Sequence, residues 1–106
     1  MTSNIITGNR NNNNNQQTVE TFQLSQNYPN PFNPSTRISY SITKTGYDSL
    51  KVYEIRGREV ATLVNGYQQA NQYSVNFDAG KLASGIYLYK LKAGDFVQTK
   101  KMILMK

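Results

Sequence analysis

The sequence predicts an all-β fold, a sandwich of about six or seven short antiparallel strands, and three observations carry that prediction. Tyr occurs eight times in the chain, with Val, Ile and Thr recurring throughout, and these residue types favour strands over helices. Short runs of alternating apolar and polar residues follow one another from Arg37 onward, separated by turn residues at the spacing of a β-sandwich. No stretch holds up as a helix: the best one, Glu59 to Val64, is short, β-branched and closed between Gly57 and Gly66.

Residues 1–21 stand apart. They hold almost no bulky apolar side chains, and the run Asn11 to Asn15, extended by Gln16 and Gln17, cannot offset the backbone entropy of ordering; they read as a disordered Asn/Gln-rich linker. From Phe22 to Ser35 three prolines, Pro29, Pro31 and Pro34, fix their own φ and push Tyr28, Asn30 and Asn33 towards extended conformations. The segment is therefore predicted to be polyproline-like, with Tyr28 and Phe32 packed on the domain as an outer strap. Either it is a recognition motif of the kind proline-rich segments provide, or it caps the edge of a sheet.

Strands follow in order. Ile38, Tyr40 and Ile42 alternate with Arg37, Ser39 and Ser41 in a half-buried strand, and Thr45-Gly46 turns the chain. Leu50 and Val52 begin a second strand whose alternation breaks at Tyr53 and Ile55, which predicts a bulge or burial on both faces. Arg56-Gly57 is a tight turn into Val60 to Val64, and Asn65-Gly66 is predicted to open the next loop. Tyr73, Val75 and Phe77 alternate again, and Asp78 to Gly85 makes a longer connection in which Leu82 is a tucked anchor. Ile86 to Leu91 and Phe96 to Met105 form a hairpin over Ala93-Gly94-Asp95. The last residues, Met102 to Lys106, are either a buried final strand, an offering to a receptor, or both.

At 106 residues the chain suits one domain. Without cysteine or histidine it has no disulfide, no thiolate site and none of the usual ligands for zinc, copper or haem. The carboxylates Asp48, Glu54, Glu59, Asp78 and Asp95 fall singly near turns or strand ends, with no glycosidase-like pair, calcium-loop spacing or glycine-rich phosphate loop. A non-catalytic domain without cofactor or metal is expected. Twelve Lys and Arg against six Asp and Glu give a net charge of +6, scattered except for Lys90, Lys92, Lys100 and Lys101. Tyr87 and Tyr89 alternate with Lys90 and Lys92 so that aromatics and cations face opposite ways, which argues against nucleic-acid binding. No secretory apolar core precedes Val19 and no run approaches a membrane span, so as written the chain is expected to stay in the cytoplasm unless something N-terminal to it is missing.

Three strings, NYPNPFNPSTRISYSI (Asn27 to Ile42), LKVYEIRGREVATLV (Leu50 to Val64) and VNFDAGKLASGIYLYKLKAGDFVQTKKMILMK (Val75 to Lys106), occur in the order and spacing of a known family. Residues 22–106 resemble the C-terminal sorting domain of proteins exported by the type IX secretion system of Gram-negative bacteria. The resemblance implies an immunoglobulin-like β-sandwich at the end of a longer precursor, with a cargo fused upstream. It implies passage through the periplasm, recognition by the secretion machinery at the outer membrane, removal by a sortase-like peptidase, and a cargo released or held at the cell surface. Tyr28, Pro29, Asn30, Pro31, Phe32, Asn33 and Pro34 match the family's entry motif, and Gly57, Arg58 and Glu59 its turn motif. Gly85 and Tyr87 match its GxY element, Lys100 and Lys101 the lysines before its last strand, and Met102, Ile103, Leu104, Met105 and Lys106 its closing apolar run.

Physical reasoning gives Gly85 a turn geometry that a Cβ would strain, and gives the last strand an edge that a receptor extends by β-augmentation. The same sandwich also resembles the immunoglobulin-like domain of flagellar hook-capping proteins, which leaves an assembly role as an alternative. A glycan-binding adhesive module is another. Adhesion calls for an exposed aromatic platform on one sheet, whereas a sorting signal depends on the terminal strand.

Overall fold

The strands form where alternation allows one face of the chain to be buried. The computed structural model describes residues 21–106, so the stretch read as a linker, 1–21, lies outside the described residues but for Thr21. Seven strands follow in order: β1 (Gln23–Leu24), β2 (Ser35–Ile42), β3 (Gly46–Glu54), β4 (Glu59–Gln68), β5 (Asn71–Asp78), β6 (Gly85–Ala93) and β7 (Phe96–Leu104). No helix occurs among the described residues. The strands pair antiparallel in two sheets, β1-β2-β5 and β4-β3-β6-β7, and the chain crosses between sheets after β2, β4 and β5.

The core lies between the sheets. Ile38, Tyr40, Ile42 and Phe77 from the three-stranded sheet meet Leu50, Val52, Tyr87, Tyr89, Leu91, Met102 and Leu104 from the four-stranded one. Ala79 is buried and Leu82 packs against this cluster from the β5–β6 connection, as its tucked position predicted. The broken alternation at Tyr53 is also accounted for: the β3–β4 register shifts between Leu50 and Lys51 and again between Val52 and Tyr53. Each shift marks a bulge that increases local twist.

Several expectations are corrected. Asn65-Gly66 does not open a loop; both residues lie inside β4, opposite Ser49 and Asp48. The strand runs on because Tyr67 lies opposite Tyr47, the two rings meet edge to face at 5.3 Å, and the Tyr47 hydroxyl donates to Asn65 Oδ1 at 2.6 Å. Gly46 belongs to β3, which starts four residues before Leu50 and adds Asp48 to the inward row of Leu50 and Val52. Pro29 to Pro34 is a series of bends that follows the isolated bridge at Tyr28 and is interrupted by that at Phe32, and not a polyproline helix. β1, unforeseen, is two residues long and rests on contacts remote in sequence: it pairs with Tyr40 and Ser41, and the Leu24 amide donates to Gln98 Oε1 at 3.2 Å.

Among the described residues Asp48 is the one whose buried side chain leaves an oxygen unpartnered. It is 1% exposed, and its Oδ2 has no hydrogen-bond partner. Burial pushes its carboxyl above the usual value of 3.8, because the charged form loses hydration. The folded state therefore binds the proton more readily than the unfolded chain. The stabilisation is fully present below the usual carboxyl range and is lost as pH rises through the raised value. Asp48→Asn is expected to raise stability by on the order of 1 kcal/mol at neutral pH and by progressively less on acidification. Thermal melts of both proteins between pH 3 and 8 check this; equal gains at all pH values would exclude titration of Asp48 as the cause.

Candidate functional site

The three motifs meet at one end of the sandwich. Strand register places Glu54 beside Tyr87 and Tyr87 beside Met102, so the turn after β3, the start of β6 and the end of β7 form a single cross-strand row. The proline-rich segment joins them, since Phe32 bridges Leu104 in parallel. Thr21 lies towards the other end, where its carbonyl accepts from Ser41 Oγ at 2.9 Å near the finish of β2. With β7 nine residues long, the two ends are separated by roughly 30 Å of strand.

β7 is divided by its pleat. Met102 and Leu104 point into the core and are fully buried, while Lys101 and Ile103 face outward from the sheet, Lys101 exposed and Ile103 half-buried. Lys100 and Lys101 do not precede the last strand but lie within it, opposite Tyr89 and Leu88. The closing run is not uniformly buried either: Met105 is 59% exposed, past the end of the ladder. Lys106 is tied down, its amide donating to Ser84 Oγ at 3.0 Å and its Nζ to the carbonyls of Gly80 and Leu82 at 2.7 and 3.0 Å. It secures the β5–β6 connection.

The edge of β7 is largely occupied. The Phe32 amide donates to the Ile103 carbonyl and the Met105 amide to the Phe32 carbonyl, both at 2.9 Å. Asn30 Oδ1 accepts from the Ile103 amide at 2.9 Å, and Gln26 Nε2 donates to the Lys101 carbonyl at 2.8 Å. From Lys101 onward the edge is thus satisfied by the chain's own strap, which is how edge strands are commonly blunted. β-Augmentation of that half is not available while the strap is seated.

The strap is seated by one inward aromatic. Phe32 is buried, its ring tilted against Phe77 with centroids 6.2 Å apart, whereas Tyr28, expected to pack with it, is 81% exposed. Tyr28 contributes its backbone: its amide and carbonyl each bond Arg37 at 2.9 Å, and that pairing turns the ring outward. Sequence reasoning missed the groups that fix the strap's beginning. The buried Tyr89 hydroxyl accepts from the Asn27 amide and donates to the Ser25 carbonyl, both at 2.8 Å. Burial pushes this hydroxyl up to about 12, against the lowering effect of the Asn27 amide. Asn27 Nδ2 in turn reaches Thr36 Oγ1 at 3.0 Å and the Pro29 carbonyl at 3.1 Å. The inward parity of Tyr89 and Leu91 carried the signal, because a buried tyrosine hydroxyl needs partners.

The turn motif is a local structure. The Gly57 amide donates to the Glu54 carbonyl at 2.8 Å, and Gly57 holds φ at 100°, a conformation that side chains with a Cβ avoid. Arg58 forks onto Glu54 Oε2 through Nε and Nη2 at 3.2 and 2.9 Å. Glu59 accepts from Thr62 Oγ1 at 2.6 Å and lies 3.5 Å from Lys51; the Thr62 hydroxyl, then Lys51, hold its carboxyl below the usual range. Gly85 is not a turn residue. It opens β6 opposite Leu104 with φ at 156°, at the margin of the range where a Cβ is strained.

Two exposed tyrosines on the outer face of the four-stranded sheet, Tyr47 and Tyr67, are the nearest thing to an aromatic platform, but their planes are perpendicular. No cluster of three metal-ligating side chains occurs among the described residues. No helix of the described residues is long and apolar enough to cross a membrane. A family model described as the secretion system C-terminal sorting domain matches residues 26–105, a span that takes in all three motifs except Lys106. No curated protein and no solved structure matches the chain.

Proposed function

We infer the function of this chain from its family: it belongs to the secretion system C-terminal sorting domains of the type IX pathway. Residues 22–106 are a non-catalytic address for a cargo fused at the N-terminal side and tethered through residues 1–21. The cargo passes through the periplasm, is carried across the outer membrane by the type IX machinery, and reaches the cell surface or the medium. A sortase-like peptidase then removes the domain. The family match over residues 26–105 is the observation that carries this reading. The polarity of the fold supports it, since cargo attaches towards the Thr21 end and the motifs gather at the other. In this reading the machinery reads outward groups of β7, Lys101 and Ile103, together with Lys100, over a scaffold made by Gly85, Tyr87, Gly57, Arg58, Glu59 and the strap from Tyr28 to Pro34.

The test is a fusion of a signal peptide, a reporter and residues 22–106 in a host with a type IX system. The reporter is expected at the surface or in the medium, and in the periplasm when the domain is omitted. Lys101→Gln is expected to lower export while changing stability by no more than about 0.5 kcal/mol, as for a solvated side chain, whereas Lys100 is half-buried with the inward parity of Met102 and is left unchanged. Lys106 is left out of this variant because its ammonium bonds two carbonyls. Equal export with and without the domain would sink the reading. The adhesive alternative rests on Tyr47 and Tyr67 alone: Tyr67→Ala would then abolish glycan binding and leave export untouched.

A further inference from the structure

The end of the sandwich where the upstream chain arrives contains a cleft that the sorting reading does not use. It has a volume of about 630 Å³ and lies between the β2–β3 turn, the β6–β7 hairpin and Phe22. That volume suits a small organic group. Phe22 and Phe96 stack beside it with centroids 5.1 Å apart and planes 17° from parallel, giving the cleft an aromatic wall. Asp48 lines it, buried and with Oδ2 unpartnered, and the exposed Asp95 lines it as well. Lys44 is the only cation among the described residues of the lining, so with both carboxylates ionised that lining is net negative on a chain of net charge +6.

A buried, unpartnered carboxylate is costly unless a positive group reaches it. Aromatic faces add attraction for a cation and also pack an aliphatic stem. A metal ion is poorly served, because divalent cations such as calcium require six or more oxygens, and the described residues hold no group of three acidic ligands. We propose that the cleft floored by Asp48 binds one cationic side chain of a polypeptide, the ammonium of a lysine or the guanidinium of an arginine, with its stem against Phe22 and Phe96. The site adjoins Thr21, so a basic peptide docked there sits beside the point where the upstream tether meets the domain. The cleft lies at the opposite end from the motifs, so binding is independent of the export reading and is measured without a secretion system.

The test uses the isolated chain, amide-resolved NMR, and N-acetyl-lysine amide and N-acetyl-arginine amide as probes. Saturable shifts are expected at Gly46, Asp48, Gly94 and Phe96, with a dissociation constant on the order of millimolar. N-acetyl-norleucine amide, which keeps the stem and loses the charge, is expected not to bind, and Asp48→Asn to weaken binding at least tenfold. Should Asp48→Asn fail to fold, Phe96→Leu is expected to weaken the same probes several-fold. Lys44→Met is expected to leave binding intact or strengthen it. Binding of norleucine equal to that of lysine, undiminished binding by folded Asp48→Asn, or unchanged binding by Phe96→Leu overturns the proposal. So does binding seen only in Lys44→Met, which would make Lys44 the occupant, or calcium shifting these amides where the amino-acid probes do not.

Discussion

Removal of Met102 to Lys106 is expected to leave the domain without a cooperative fold. Met102 and Leu104 are fully buried, and large-to-small changes at such positions cost about 2–5 kcal/mol each, cavity included. The deletion also takes away the Ile103 carbonyl and the Met105 amide that hold Phe32, so the strap loses its seat along the edge. Lys106 no longer ties Gly80, Leu82 and Ser84. Against a total stability of about 5–15 kcal/mol for a domain of this size, these losses are of the same order as the whole. Circular dichroism is expected to show no sharp thermal transition, and amide NMR spectra to collapse to poor dispersion. A cooperative melt within a few degrees of the intact domain would mean that the end of β7 is dispensable to folding. The consequence for export follows directly: a truncated fusion retained in the periplasm reports lost structure, and only variants in outward groups such as Lys101 report recognition.

How much of this was legible in the sequence depends on how local the deciding contacts are. β2 and β5 alternate, and Ile38, Tyr40, Ile42 and Phe77 of their inward rows are core while Tyr73 and Val75 pack against it; in β7 only Met102 and Leu104 of a row that also holds Gln98 and Lys100 are buried. The broken pattern at Tyr53 correctly marked the bulged pairing with β4. Asn65-Gly66 misled because that dipeptide favours turns, while the Tyr47–Tyr67 pair that keeps β4 extended forms only after the strands are aligned. Asp48 was legible in principle, since it shares parity with Leu50 and Val52, but an aspartate near a turn is ordinarily explained by the turn. The strap was half legible. An edge cap was one of the two roles its prolines allowed; that Phe32 enters the core and Tyr28 stays in water could not be read, because bends between prolines give no period from which to choose.

That choice makes Phe32 the most consequential single residue of the strap. Phe32→Ala is expected to destabilise the domain by about 3–5 kcal/mol, the usual cost of emptying a buried phenylalanine site, with loss of the contact to Phe77 included. The backbone bonds of residue 32 to Ile103 and Met105 persist in principle, but without the ring nothing apolar anchors this stretch, and the edge of β7 opens more often. Hydrogen exchange separates the two effects. In Phe32→Ala the Met105 amide, which depends on the strap for its partner, is expected to exchange faster than global destabilisation accounts for. Amides shared between β3 and β6 are expected to follow the global change alone. Asn30→Ala is the control: it removes the carbonyl that caps the Ile103 amide while leaving the core intact, and should cost about 1 kcal/mol with acceleration confined to that amide. Uniform acceleration across β6 and β7 in Phe32→Ala would show that strap and sheet open as one unit, and the exposed edge would then exist only in the unfolded chain.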